Sequence, residues 1–149
     1  MAIAIGSDHR GYGLKEEIKK YLEEIGIEYK DFGTYSEERV DTLPIVEEAC
    51  KAIQNKECDK GILICGTGFA MTITANKFKR IICVPCVDEF GATRSRQHNN
   101  ANVIALGAET VSGSQAIAII RTWLGTEFLG GKYEERVKQL EELEDKNMK

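Results

Sequence analysis

Hydrophobic residues along this chain alternate between two periods. Short continuous apolar runs, suited to strands covered on both faces, are followed by stretches in which apolar side chains recur every three or four residues. Ala2-Ile3-Ala4-Ile5 is the first run, closed by Gly6. Leu14, Ile18, Tyr21, Leu22 and Ile25 then mark a helix with Gly26 as its stop. Residues 27–32 predict a second strand, and Pro44 opens a helix bearing Ile45, Val46, Ala49, Cys50 and Ile53. Gly61-Ile62-Leu63-Ile64-Cys65 is a continuous buried run, followed by a short helix over 72–76. Residues 80–87 give a fourth strand in which Pro85, unable to donate to a ladder, belongs at an end or an edge. Residues 90–97 are helical and 101–107 form a fifth strand. Ser114 caps a helix with Ile117, Ile120, Trp123 and Leu124 on one face.

Strands alternating with helices predict an α/β fold: a single Rossmann-like, three-layer domain over residues 1–149, with a five-stranded parallel sheet wound by right-handed crossovers. Beyond Gly130-Gly131, residues 132–149 read as a charged helix whose Tyr133, Val137, Leu140 and Leu143 share one face. With no strand after it, that stripe either reaches a partner subunit or folds back on its own sheet.

A formal net charge of -4 over 149 residues, with both signs interspersed, excludes a general nucleic-acid surface. No apolar run has the length of a membrane helix, and the first residues lack the basic start of a signal peptide, so a cytoplasmic protein is expected. The five cysteines, Cys50, Cys58, Cys65, Cys83 and Cys86, are odd in number and lie in apolar segments, which suits free thiols.

In open α/β sheets ligands bind beyond the carboxyl ends of the strands. Ser7-Asp8-His9 follows the first strand and Cys65-Gly66-Thr67-Gly68 the third, while Arg96-Gln97-His98-Asn99-Asn100 precedes the fifth. Cys65 leads through a glycine turn into a helix, where amide N–H groups and the helix dipole favour a thiolate. The other reading of Cys65 is a small buried hydrophobe, and of its glycines an ordinary tight turn. Asp8-His9 suits either hydroxyl binding or a helix cap, and His98 either proton transfer or a solvated loop. Lys132 and Arg136 share a helical face that can hold a phosphate, although Glu134 and Glu135 make a solvated, salt-bridged helix the default. Cys83-Val84-Pro85-Cys86 has thioredoxin-like spacing, but inside a strand its thiols face opposite sides, which opposes redox use; no second Cys or His pair has zinc-ligand spacing.

Taken in order, Gly6-Ser7-Asp8-His9, Asp31-Phe32-Gly33-Thr34, Ile64-Cys65-Gly66-Thr67-Gly68, Ala75-Asn76-Lys77, Ser95-Arg96-Gln97-His98-Asn99, Ala101-Asn102-Val103 and Gly130-Gly131 resemble the type B ribose-5-phosphate isomerases, the family that also includes galactose-6-phosphate isomerase subunits. The resemblance implies an aldose–ketose isomerase that needs no metal or cofactor, forming a homodimer or homotetramer with sites at subunit interfaces. It implies that Cys65 moves the proton between C2 and C1 through a cis-enediolate. The amides of Gly66, Thr67, Gly68, Phe69 and Ala70 would face the oxyanion, where one donor can be worth roughly 3 kcal/mol. It further implies that His98 assists ring opening, that Asp8 and Asn99 hold hydroxyls, and that His9, Lys132 and Arg136 bind the phosphate, the last two from a neighbouring subunit.

Departures from the family pattern fall on substrate-facing positions. Glu109 and Lys132 stand where arginine is usual, Asp41-Thr42-Leu43-Pro44 replaces Asp-Tyr-Pro, and Ala70 replaces a glycine. The expected reaction is ribose 5-phosphate to ribulose 5-phosphate. The alternatives are a hexose 6-phosphate, an unphosphorylated sugar, or a weakly active sugar-phosphate-binding subunit.

Overall fold

A computed structural model describes residues 2–148; Met1 and Lys149, at the ends of the expected domain and last helix, lie outside the described residues. Eleven elements follow in order: β1 (Ile3–Ser7), α1 (Tyr12–Glu24), β2 (Tyr29–Asp31), α2 (Thr42–Gln54), β3 (Lys60–Cys65), α3 (Phe69–Ala75), β4 (Cys83–Pro85), α4 (Glu89–Gln97), β5 (Val103–Gly107), α5 (Gly113–Leu124) and α6 (Lys132–Asn147). All strand pairs are parallel, in the order β2-β1-β3-β5-β4, so the expected α/β architecture is present.

The sheet separates two apolar layers, as a parallel sheet with helices on both faces requires. Ile5, Ile62, Ile64, Ile104 and Leu106 meet α1, α4 and α5 through Ile18, Leu22, Ala92, Ile120 and Trp123. Ala4, Leu63, Cys65, Val103 and Ala105 meet α2 and α3 through Val46, Ala49, Ile53 and Met71. Alternate residues of one strand thus supply opposite layers.

Several boundaries differ from the sequence pattern for local reasons. The strand expected over 80–87 contracts to β4, at the sheet edge with Pro85 as its last residue, because positive φ at Arg80 and side-chain clamps at 82–83 occupy its start. Cys83 and Cys86 lie in opposite apolar layers. The cap of α5 is Ser112, whose Oγ accepts from the Gln115 amide, and Ser114 sits inside the first turn. Helix α2 begins at Thr42, leaving Pro44 in its first turn, where no intrahelical N–H is needed. Helix α3 begins at Phe69 rather than 72, and β2 is only three residues long.

Helix α6 has no buried residue, and Leu140 and Leu143 remain exposed. It is held to its own chain by Arg80, whose guanidinium meets Glu141, Glu144 and Asp145. No helix of the described residues is long and apolar enough to cross a membrane.

Lys15 is fully buried, an outcome that a Lys on a helix does not advertise. Its ammonium donates to Asp31 Oδ1 and the Thr34 carbonyl, both at 2.6 Å, and Lys19 donates to Asp31 Oδ2. The loop so held exchanges main-chain bonds with Ser7, which accepts from Thr34 and donates to Gly33. A buried ion pair between α1 and the end of β2 therefore fixes the carboxyl end of β1. Burial alone pushes the Asp31 carboxyl up, but donors from Lys15, Lys19 and the Gly33 amide outweigh it and hold Asp31 below the usual carboxylate range.

Removing one member of a buried pair leaves the other uncompensated, so Lys15→Met is expected to lower the unfolding free energy by about 3 kcal/mol in denaturant titration. Asp31 titrates lower folded than its unfolded value of about 3.9, so its stabilisation is complete above that pH and is lost as pH falls through the folded value. Asp31→Asn is expected to flatten that acid limb, measured as midpoint against pH.

Candidate active site

The β3–β5 pairing continues past the strands: Ala108 donates to the Cys65 carbonyl at 2.8 Å and Glu109 to the Gly66 carbonyl at 2.9 Å. This zippering holds the turn after Cys65 against the turn after β5. Gly68 adopts φ of 83°, and a Cβ there would come within 3.3 Å of the Leu106 backbone. Glycine is needed on both counts. From that position the Gly68 amide donates to Cys65 Sγ at 3.1 Å.

Cys65 is 5% exposed yet lines an open cleft of about 490 Å³ with Asp8, His9, Arg10, Arg39, Gly66 and Thr67. The sulfur is therefore in a cleft wall rather than sealed in the core. Asp8 and His9 arrive from the end of β1. Asp8 Oδ1 accepts from the Arg10 and Gly11 amides at 2.9 and 3.0 Å, which closes a turn ahead of α1; the helix N-cap itself is Gly11, without a side-chain cap. The other Asp8 oxygen is the one left for a ligand. His9 Nδ1 is buried without a hydrogen-bond partner.

Of the five amides expected to face an oxyanion, Gly68 is committed to the sulfur and Phe69 to Thr67 Oγ1 at 3.2 Å. Phe69 and Ala70 side chains are exposed at the start of α3. Two cations of the cleft escaped the sequence reading. Arg10 follows His9 directly, and Arg39 stands in the loop before α2; charged residues just beyond a strand end were the available signal.

His98 does not join this cleft within one chain. It caps the C-terminus of α4, before β5, so it lies at the amino end of the sheet, whereas Cys65 lies at the carboxyl end. There His98 stacks on Tyr133, with ring centroids 4.2 Å apart and planes 9° from parallel. Tyr133 brings the first turn of α6, and with it Lys132 and Arg136, to the same end as His98 and Asn99. Arg96 braces this loop by donating to Asn100 Oδ1 and the carbonyls of Ala101 and Thr126. The expected site residues thus form two groups at opposite ends of one sheet.

The other thiols differ from Cys65 in environment. Burial pushes Cys50 and Cys83 up to about 12 and Cys86 to about 11, far from a thiolate near neutral pH. Among the described residues no three His, Cys, Asp or Glu side chains converge as a ligand set.

A family model described as Ribose/Galactose Isomerase matches residues 3–140. Ribose-5-phosphate isomerase B of Escherichia coli (strain K12) is 42% identical over 144 residues, which are 97% of each chain. D-erythrulose-4-phosphate isomerase of Pectobacterium atrosepticum is 38% identical over 144 residues, 94% of this chain and 93% of its own. The solved structure of Clostridium thermocellum ribose-5-phosphate isomerase B matches with a TM-score of 0.96 at 44% identity, covering 98% of this chain and 99% of that one. Agreement of that extent, spanning every strand and the Cys65 turn, means that the chain belongs to the ribose/galactose isomerase family.

Proposed function

We propose that this isomerase interconverts ribose 5-phosphate and ribulose 5-phosphate in the cytoplasm by proton transfer through Cys65. The observation that carries the reading is the Gly68 N–H donated to Cys65 Sγ at the wall of an open cleft, which fixes the sulfur where a bound sugar can meet it. In the open-chain sugar, the sulfur takes the C2 proton and charge moves to the carbonyl oxygen O1; the O2 proton passes to O1 across the cis-enediolate, and C1 takes the proton from sulfur as the carbonyl forms at C2. The Gly66, Thr67 and Ala70 amides are the donors left for that oxyanion once Gly68 and Phe69 are committed. Asp8 holds a hydroxyl through its uncommitted oxygen, and His9 meets the phosphate.

The separation of the two groups supports a site shared between subunits. One chain cannot present His98 to its own Cys65 from the far end of its sheet. A second copy supplies His98 and Asn99 for ring opening and hydroxyl binding, and Lys132 and Arg136 for the phosphate, so a homodimer is the minimal active unit. The relative that isomerises D-erythrulose 4-phosphate favours a second reading, a shorter sugar phosphate in the same cleft.

Cys65→Ala is expected to lower kcat roughly 10²- to 10⁴-fold, the range for a positioned proton-transfer group, while calorimetry shows ribose 5-phosphate still bound. Loss of binding together with turnover would contradict the role. Iodoacetamide at neutral pH is expected to label Cys65 ahead of Cys50, Cys83 and Cys86, with ribose 5-phosphate protecting it. Sharing is tested by mixing: Cys65→Ala and His98→Ala homodimers, unfolded and refolded together, are expected to regain about a quarter of wild-type activity, since half of the dimers carry one intact site of two. No regain would place Cys65 and His98 in one chain's site.

A further inference from the structure

Glu109 sits beside the cleft as a carboxylate where an anionic substrate is expected. Its amide donates to the Gly66 carbonyl, which fixes its backbone on the turn after Cys65. Its side chain then lies back over that turn: a Cβ on Gly66 would come within 2.7 Å of Glu109 Oε2 and 3.2 Å of Arg10 Cδ. Across the glycine, Glu109 Oε1 accepts from Arg10 Nη1 at 3.5 Å. Arg10 is one of two arginines in the cleft lining, and among the described residues Arg39 has no carboxylate partner. The pair is open to solvent, with Arg10 63% and Glu109 53% exposed, so it exchanges partners readily.

We infer that Glu109 sets the specificity of the cleft for the charged end of its substrate, by holding Arg10 and by opposing a phosphate dianion that competes for the same guanidinium. The inference rests on the sugar-phosphate reading of the cleft. Binding proceeds by exchange: the phosphate oxygens replace Glu109 Oε1 on Arg10, and the released carboxylate turns toward water. Both charges of the dianion are felt against Glu109, whereas an uncharged sugar end meets no such opposition. The device therefore weakens binding of phosphorylated sugars relative to unphosphorylated ones and leaves the proton transfer at Cys65 untouched. Arg10 provides the attraction, Glu109 the discrimination, and Gly66 the space in which they meet.

A double-mutant cycle read by calorimetry and by steady-state kinetics tests this, with inorganic phosphate, ribose 5-phosphate and unphosphorylated ribose as probes. Glu109→Gln keeps the shape and removes the charge; it is expected to tighten phosphate and ribose 5-phosphate binding roughly five- to tenfold, the scale of an exposed pair plus the relieved repulsion. KM for ribose 5-phosphate falls accordingly while kcat changes less, and ribose binding is unaltered. Arg10→Met is expected to weaken phosphate binding, and adding Glu109→Gln to it to recover much less than in the wild-type background. The inference is overturned if Glu109→Gln weakens phosphate binding, tightens ribose equally, or gains as much without Arg10. Absence of turnover on every sugar phosphate, with the phosphate gain intact, would instead overturn the isomerase reading and leave the role of Glu109 standing.

Discussion

A single main-chain N–H, that of Gly68, placed against the sulfur of Cys65 is the contact on which the rest of the site depends. It exists because the turn after β3 closes in three residues, which needs left-handed backbone at Gly68 close against Leu106. The turn is kept from opening by Ala108 and Glu109, which carry the β3–β5 register beyond the last paired strand residues. A thiol elsewhere in the same layers is only a small apolar side chain, as burial makes of Cys50 and Cys83. Here the same residue type faces a cleft, next to an imidazole and two guanidinium groups.

The second constraint is polarity of the sheet. All five strands run the same way, so residues that precede β5 and residues that follow β3 are separated by the length of a strand, on the order of 17 Å. His98, Tyr133, Lys132 and Arg136 gather at one end and Cys65, Asp8 and His9 at the other. Under the pairing of two chains proposed above, that separation becomes two composite clefts. Arg96, Tyr133 and the Arg80 clasp on α6 fix the His98 loop and the last helix on their own chain.

Much of this was legible in the sequence because the chemistry is local. Continuous runs such as 61–65 announced buried parallel strands, and Pro85 announced an edge. The strand separating Cys83 from Cys86 into opposite layers followed from a period of two. Cys65 stood out because it ends a strand, and Asp8 and His9 because they follow one. What stayed hidden depends on contacts distant along the chain. Nothing local distinguishes Lys15 from other helix lysines; its burial comes from Asp31 and Thr34. Asn76 and Asn102 belong to family motifs, yet both side chains clamp the main chain around β4, a structural task. Arg10 and Glu109 are 99 positions apart and meet only through the β1-β3-β5 order.

In the proposed mechanism a sulfur carries a carbon-bound hydrogen as a proton between two adjacent carbons. Conversion of ribose 5-phosphate in deuterium oxide, followed by proton NMR of the ketose, follows that hydrogen. Solvent deuterium is expected at C1 of the ribulose 5-phosphate formed, because a proton resting on sulfur exchanges with water. Quantitative delivery of the substrate's own C2 hydrogen to C1, with no solvent label after many turnovers, would point to a direct hydride shift and contradict it.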